Sequence, residues 1–377
     1  MNTLIAGYVG SHKTGIGRYT DNIIDRMSKE QSNDFFILLK NKDYDDYSTF
    51  CNNVAVQPYE VSKHSSMGNL LWHQLIYPYY CWSYKADVSF IPNVTLLLWK
   101  TCPTVVAIHD LIEFKIPGKF SRLRMLYRSI AVPITARRAD VIITVSKNSK
   151  KDIVELLKIP ANKVIVIPNG IDPVFRTIDE RELVKLRNTY QIPRRYILYV
   201  GTLDHPGKNA MTLIKAFESL KRNRNSPHRL VLIGKSGKGY EEIEQVVNKS
   251  EFRQDILIKG YVGDEELIAW YNCAEVFAFL SLYEGFGLPA LEAMACGVPV
   301  IVSNQSSLPE VVEDAGIMVD PLDIEEVTEA LKKLTENKEL REKLRIAGKK
   351  QAEKFSWDKA AYDTYRVLES VSNKFRR

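Results

Sequence analysis

Long apolar runs are missing from this chain. No stretch reaches the roughly 18 consecutive apolar residues that a membrane-spanning helix requires, and the opening NTLIAGYVG lacks the basic-then-apolar order of a secretory leader. The expectation is a soluble or peripheral protein of the cytoplasm, at most resting on the inner face of the plasma membrane. Cysteine is scarce too: Cys51, Cys81, Cys102, Cys273 and Cys296 are odd in number and form no CxxC pair, which excludes a disulfide framework and a zinc site. Two phosphate-binding signatures are incomplete. Gly15 and Gly17 begin a dinucleotide fingerprint whose third glycine is replaced by Thr20, and Gly234, Lys235 and Ser236 end a phosphate loop whose first glycine is replaced by Arg229. No Asp-x-Asp pair stands at a strand end, so a metal ion is not required by any ligand pattern.

What is present is length and alternation. The 377 residues, 45% apolar, suffice for two cores of ordinary size. Strand-like runs (FFILLK, VAVQPY, VSFIP, TVVAIHD) alternate with helical patterns, as in a parallel sheet covered on both faces. The pattern restarts at RYILYVGTL after the turn residues Pro168, Asn169, Gly170 and Asp172. The predicted division is an N-terminal Rossmann-like domain over 1–171, a second over 172–355, and a terminal helix over 356–377.

Charge is uneven. Residues 1–172 hold 21 Lys/Arg against 15 Asp/Glu, and residues 173–377 hold 31 against 31, so the net +6 lies in the first half. Between Lys115 and Arg138 stand seven basic residues and no acid, interleaved with Phe120, Leu123, Leu126, Tyr127 and Ile130 at helical spacing. Residues 115–138 therefore read either as a basic amphipathic surface for anionic lipid or as a solvated helix, with Pro133 expected to bend or interrupt it. No nucleic acid partner is expected.

The centre of the chain is SLYEGFGLPALEAMACGVP, residues 281–299. VFAFLS before it has strand length, and ALEAMACG after it reads as helix, with Pro289 in its first turn and Gly297 past its end. Glu284 then sits in a strand-to-helix loop and Glu292 about a turn into the helix. Gly285, Phe286, Gly287 and Leu288 bring backbone N–H groups to the helix start, which suits an anion. YVGTLDHPGKN is a second such loop, delivering Lys208 to a helix amino terminus, where a lysine is misplaced unless an anion answers it. At the strand end TVVAIHD, His109 occupies the position where ligands sit in open α/β sheets, although a lone histidine is more often structural.

These residues carry a resemblance. EGFGLPALEAMACGVP is similar, nearly letter for letter, to the Glu-x7-Glu motif of retaining GT-B glycosyltransferases of family 4, and GTLDHPGKN, the HD of TVVAIHD, DAG and FSW match further segments of that family. The resemblance implies two Rossmann-like domains facing across a cleft, with a C-terminal helix crossing back to the first. It also implies transfer of a hexose from a nucleotide-sugar donor to a hydroxyl of a glycan or lipid-linked acceptor in cell-envelope polysaccharide synthesis. Lys208, with the amides of the Gly15–Gly17 loop and of Gly287 and Leu288, would face the donor diphosphate. Glu292 would hold the ribose, Glu284 and His109 the transferred sugar, and Val262 would meet the base. Many relatives carry arginine where Thr202 stands, and threonine marks a branch in which GDP-mannose users are common. A GT-B nucleotide-sugar epimerase and a non-catalytic two-lobed nucleotide-sugar binding protein remain open alternatives.

Overall fold

The computed structural model describes residues 1–6, 15–29, 35–40, 54–59, 71–224 and 226–375, with the backbone course alone for 35–40, 54–59 and 224. The chain divides into two compact units, Met1–Gly170 with Ser356–Arg377, and Ile171–Phe355.

The first unit holds strands β1 (Thr3–Ala6), β2 (Phe35–Lys40), β3 (Val54–Tyr59), β4 (Val88–Ile91), β5 (Thr104–Ala107), β6 (Val141–Thr144) and β7 (Val164–Val166). They form one sheet in the order β3-β2-β1-β4-β5-β6-β7, every pair parallel. Its helices are α1 (Gly15–Met27), α2 (Tyr77–Ser83, entered through a π-helical turn at Trp72–Ile76), α3 (Ile112–Lys115), α4 (Arg122–Arg138) and α5 (Lys147–Leu157). The described strands bury nearly every residue, because helices cover both faces of a parallel sheet. Sequence position follows the same physics elsewhere: the Ser146 hydroxyl caps α5 by accepting the Ser149 N–H at 3.0 Å.

Two expectations are corrected here. Gly15 and Gly17 lie in the first turn of α1, not in a loop, since glycine is tolerated where the helix N–H groups are unpaired anyway; the preceding residues 7–14 fall outside the described chain. Pro133 does not interrupt its helix. α4 runs through it, held on the loop side by Thr135, whose hydroxyl accepts the Leu97 N–H at 3.1 Å and donates to the Thr95 carbonyl.

The second unit holds α6 (Glu180–Thr189), β8 (Tyr196–Val200), α7 (Ala210–Arg224), β9 (Arg229–Ile233), α8 (Tyr240–Lys249), β10 (Ile256–Gly260), α9 (Asp264–Cys273), β11 (Val276–Phe279), α10 (Leu288–Ala295), β12 (Val300–Ser303), α11 (Leu308–Val312), β13 (Gly316–Val319), α12 (Ile324–Glu336) and α13 (Lys338–Ala352). The sheet order is β10-β9-β8-β11-β12-β13, again all parallel. The order reverses between β8 and β11, and in the first unit between β1 and β4. Such switch points leave a crevice at the strands' carboxyl ends, where ligands bind in this kind of sheet.

The last helix, α14 (Trp357–Phe375), belongs to the first unit. Its Trp357 is buried with its ring centre 6.2 Å from that of Tyr19 on α1, and Asp358 accepts from Arg26 Nε at 2.7 Å. A side chain at Gly170 would meet the Trp357 backbone N at 2.0 Å, so only glycine lets the two segments pass.

Candidate donor-binding site

The second unit assembles its site at the switch point. The loop after β8 runs from Gly201 to Asn209, and the loop after β11 runs from Leu280 to Gly287; β8 and β11 are hydrogen-bonded neighbours. Two residues far apart in sequence therefore meet: Lys208 Nζ pairs with Glu284 Oε1. The ammonium also lies 5.5 Å from the Phe279 ring centre.

Each partner is fixed from behind. The Lys208 N–H donates to the buried carboxylate of Asp204 at 3.1 Å, and the Gly207 carbonyl accepts from the Leu282 N–H at 2.9 Å, stapling the two loops together. The β8 loop is also tied to the loop after β9, through Leu203 N–H to the Lys235 carbonyl (2.8 Å) and His205 N–H to the Lys238 carbonyl (2.8 Å). Glu284 is held through its backbone by the loop before α11. Its N–H donates to Ser306 Oγ at 2.9 Å, while the Ser306 and Ser307 hydroxyls donate to its carbonyl. Ser307 also donates to the Phe286 carbonyl at 2.8 Å.

Gly287 caps α10 with φ +108°, and a Cβ there would stand 2.5 Å from Leu308 Cδ2. Both constraints require glycine. They aim the first turn of α10 at the carboxyl edge of the sheet, with Pro289 at a position that needs no N–H. Glu292, one turn on, is 4% exposed and accepts from the Tyr271 hydroxyl of α9 at 3.0 Å. Tyr271 is itself wholly buried, its ring between Phe277 and Phe175. A buried carboxyl oxygen needs such a donor to offset its lost hydration. The nearby Cys296 thiol is pushed far up by its burial and by the Glu292 charge, which keeps it protonated.

Thr202 is exposed, its carbonyl accepting from the buried Tyr199 hydroxyl at 3.2 Å. Burial, with Asp204 and Glu284 nearby, raises Tyr199 well above the usual phenol value, so it remains a donor. Val262 is buried just past β10, beside an exposed Tyr261 whose ring lies 4.7 Å from Lys235 Nζ. Sequence reasoning missed Tyr271 and Asp204.

His109, Gly15 and Gly17 belong to the first unit. His109 follows β5, and Tyr19 of α1 packs edge-on against its ring at 4.6 Å. His109 Nε2 lies 2.9 Å from the Pro92 carbonyl, which can only accept, so Nε2 carries the proton and Nδ1 is the acceptor. Burial lowers the imidazole below its usual value, outweighing the opposing effects of the Pro92 bond and of Asp110, so the ring is neutral near pH 7. The Ser149 hydroxyl donates to the His109 carbonyl at 2.9 Å, fixing the strand end to α5.

Two family models match the chain, Glycosyltransferase Family 4 over residues 15–175 and Glycosyl transferases group 1 over residues 185–351. The chain belongs to this glycosyltransferase family and is a glycosyltransferase of GT-B fold. It is 30% identical to the O-antigen chain mannosyltransferase B of Escherichia coli over 374 residues, 94% of this chain and 96% of that protein. It is also 30% identical to the E. coli serotype-specific mannosyltransferase WbdA over 70% of this chain but only 32% of that longer protein. Among solved structures, sucrose-phosphate synthase from Thermosynechococcus elongatus (TM-score 0.77, 19% identity) and Anabaena HepE in complex with UDP and glucose (TM-score 0.76, 17% identity) share the fold over 98% of this chain and 98% and 99% of theirs.

Proposed function

We propose that this glycosyltransferase moves mannose from GDP-mannose, with retention of configuration and without a bound metal, onto a hydroxyl of a glycan or lipid-linked acceptor of a cell-envelope polysaccharide. The observation that carries the reading is the Lys208–Glu284 pair at the switch point, in a chain similar along its length to an O-antigen chain mannosyltransferase. Transfer requires stabilising a departing diphosphate and an electron-poor sugar carbon, which calls for fixed positive charge at the first and hydrogen-bond acceptors around the second. In this reading Lys208 and the amides of Gly287 and Leu288 receive the diphosphate. Glu284, released from Lys208 as the phosphates take its place, turns to the sugar hydroxyls. Glu292, held by Tyr271, receives the ribose. Neutral His109 offers Nδ1 as an acceptor to the sugar, and the amides of Gly15 and Gly17 in the first turn of α1 face the phosphates. The Lys208 ammonium supplies charge that a metal supplies elsewhere.

The test is incubation with a panel of sugar nucleotides and envelope lipid extract, followed by mass spectrometry and by NMR of the new linkage. A product one hexose heavier, α-linked, formed from GDP-mannose and undiminished by chelator, is the expected result. Transfer only from a UDP-sugar overturns the donor assignment. Epimerised sugar nucleotide without transfer, or binding without either, overturns the reaction.

A further inference from the structure

Gly234 to Gly239, GKSGKG, is a glycine-rich loop with two lysines that no phosphate-loop signature explains. Its glycines answer to packing. A Cβ on Gly234 would stand 1.8 Å from the Gly201 carbonyl oxygen, and one on Gly237 would meet Thr202 Cγ2 at 2.7 Å and Asp204 Cβ at 2.8 Å. The loop is thus pressed against the one that delivers Lys208, and the Gly237 N–H adds a further bond between them, donating to the Leu203 carbonyl at 2.9 Å.

The three strands on this side of the sheet end level. Val200, Ile233 and Gly260 are register partners across β8, β9 and β10, and the Gly201 and Gly234 N–H groups continue the row by donating to the Ile233 and Gly260 carbonyls at 2.9 and 2.8 Å. From that edge emerge Thr202, Lys235 and Tyr261, all exposed, in strand order going away from β11, whose loop carries Glu284. Strands stand about 4.8 Å apart, so the row spans roughly 10 Å from β8 to β10. With a diphosphate on Lys208, the nucleoside end of the donor comes to lie along it.

Lys235 is distinguished by what it touches. Its ammonium lies 4.7 Å from the Tyr261 ring centre, and among the described residues no carboxylate pairs with it. Other lysines of this unit that lie against rings are answered by acids: Lys208 by Glu284, Lys221 by Asp255 and Lys259 by Glu266. A ring face holds a cation in place without cancelling its charge or occupying its three N–H donors.

We infer that Lys235 selects the base of the donor: the base stacks on Tyr261, taking over the ring that the ammonium covers, and the ammonium moves on its flexible stem to the O6 and N7 acceptors of guanine. Stacking accepts any base, so the choice falls to the lysine. Adenine presents an amino donor where guanine presents O6, and the ammonium has no partner there; uracil offers its O4 carbonyl without a neighbouring ring nitrogen. The inference rests on the guanosine-linked donor proposed above and assigns the residue that recognises it.

The experiment is calorimetric titration of the full chain with GDP, ADP and UDP. The parent should prefer GDP. Lys235→Met, whose side chain still covers the ring, should lose roughly 10-fold in GDP affinity while ADP and UDP change by less than about twofold. Tyr261→Ala should weaken all three alike, by roughly 10-fold. Melting points without nucleotide should stay at the parent value, because both side chains are exposed. A GDP-preferring parent whose GDP-to-ADP ratio survives Lys235→Met overturns this inference alone. Equal losses for all three nucleotides in Lys235→Met overturn it too, since the lysine would then answer the phosphates. Tyr261→Ala without effect overturns the stacking, and a parent that prefers UDP overturns the guanosine donor itself.

Discussion

Replacing Lys208 with methionine tests the site most directly, because the structure offers two incompatible reasons for the lysine. It could serve only to neutralise Glu284, whose carboxylate it contacts, or it could be a diphosphate cation that Glu284 holds ready. The side chains are 21% and 12% exposed, so the pair is largely shielded from solvent and leaving Glu284 unpaired costs the fold about 1–3 kcal/mol. The catalytic loss is larger if the lysine faces the departing diphosphate: removing one preorganised group from developing charge costs roughly 10²–10³ in kcat, or about 3–4 kcal/mol. Glu284→Gln separates the reasons. If Lys208 merely answers Glu284, the double variant recovers activity, since the uncompensated charge is gone; if Lys208 grips phosphate, the double variant stays at least as slow as Lys208→Met alone. The assay is kcat and KM for the accepted sugar nucleotide, with melting temperatures as a control for folding. A Lys208→Met enzyme within about threefold of the parent, or full rescue by Glu284→Gln, would refute the diphosphate role.

Three further perturbations follow from the geometry. Tyr271→Phe strips the hydroxyl from buried Glu292 and should lower stability by about 1.5–3 kcal/mol in denaturant unfolding while raising the donor KM; an unchanged KM would separate Glu292 from the donor. Gly287→Ala meets Leu308 in a backbone region L-residues avoid, so it should destabilise by roughly 1–3 kcal/mol and slow turnover, and a variant matching the parent in both melting temperature and kcat would count against these constraints. His109 has its folded-state pKa below the unfolded one, so the unfolded chain binds more protons between the two. Its contribution to stability is present above the ordinary imidazole range and is lost as pH falls through that range toward the lowered value. His109→Asn should flatten that part of the stability profile in urea melts across pH 5–8, and an unaltered slope would count against a buried neutral ring.

Much of the second unit was legible because its motifs are local. An apolar run, a glycine-containing loop and a short helix specify where Glu284, Gly287 and Glu292 lie relative to one another. Lys208 was legible as a misplaced cation, but its pairing with a residue 76 positions away depends on β8 and β11 being neighbours, which strand order decides and spacing does not. Tyr271 carried no signal: a tyrosine in an apolar helix looks like core, and only the packing of α9 beside α10 turns its hydroxyl toward Glu292. In the first unit the basic residues interleaved with the apolar ones marked 115–138 as a surface helix, and α4 does expose Leu123, Leu126, Tyr127 and Ile130 while burying its later turns.

The place of α14 bears on how the chain is made. A ribosome delivers β1 to β7 first, but Tyr19 and Arg26 wait for partners that arrive only after residue 356. The second unit, continuous from Ile171 to Phe355, can close while the first still lacks a helix. The earlier-synthesised half is thus the later to be finished. A chain stalled or cut before Trp357 would hold a complete second unit and a first unit without the helix that packs on Tyr19 and Arg26.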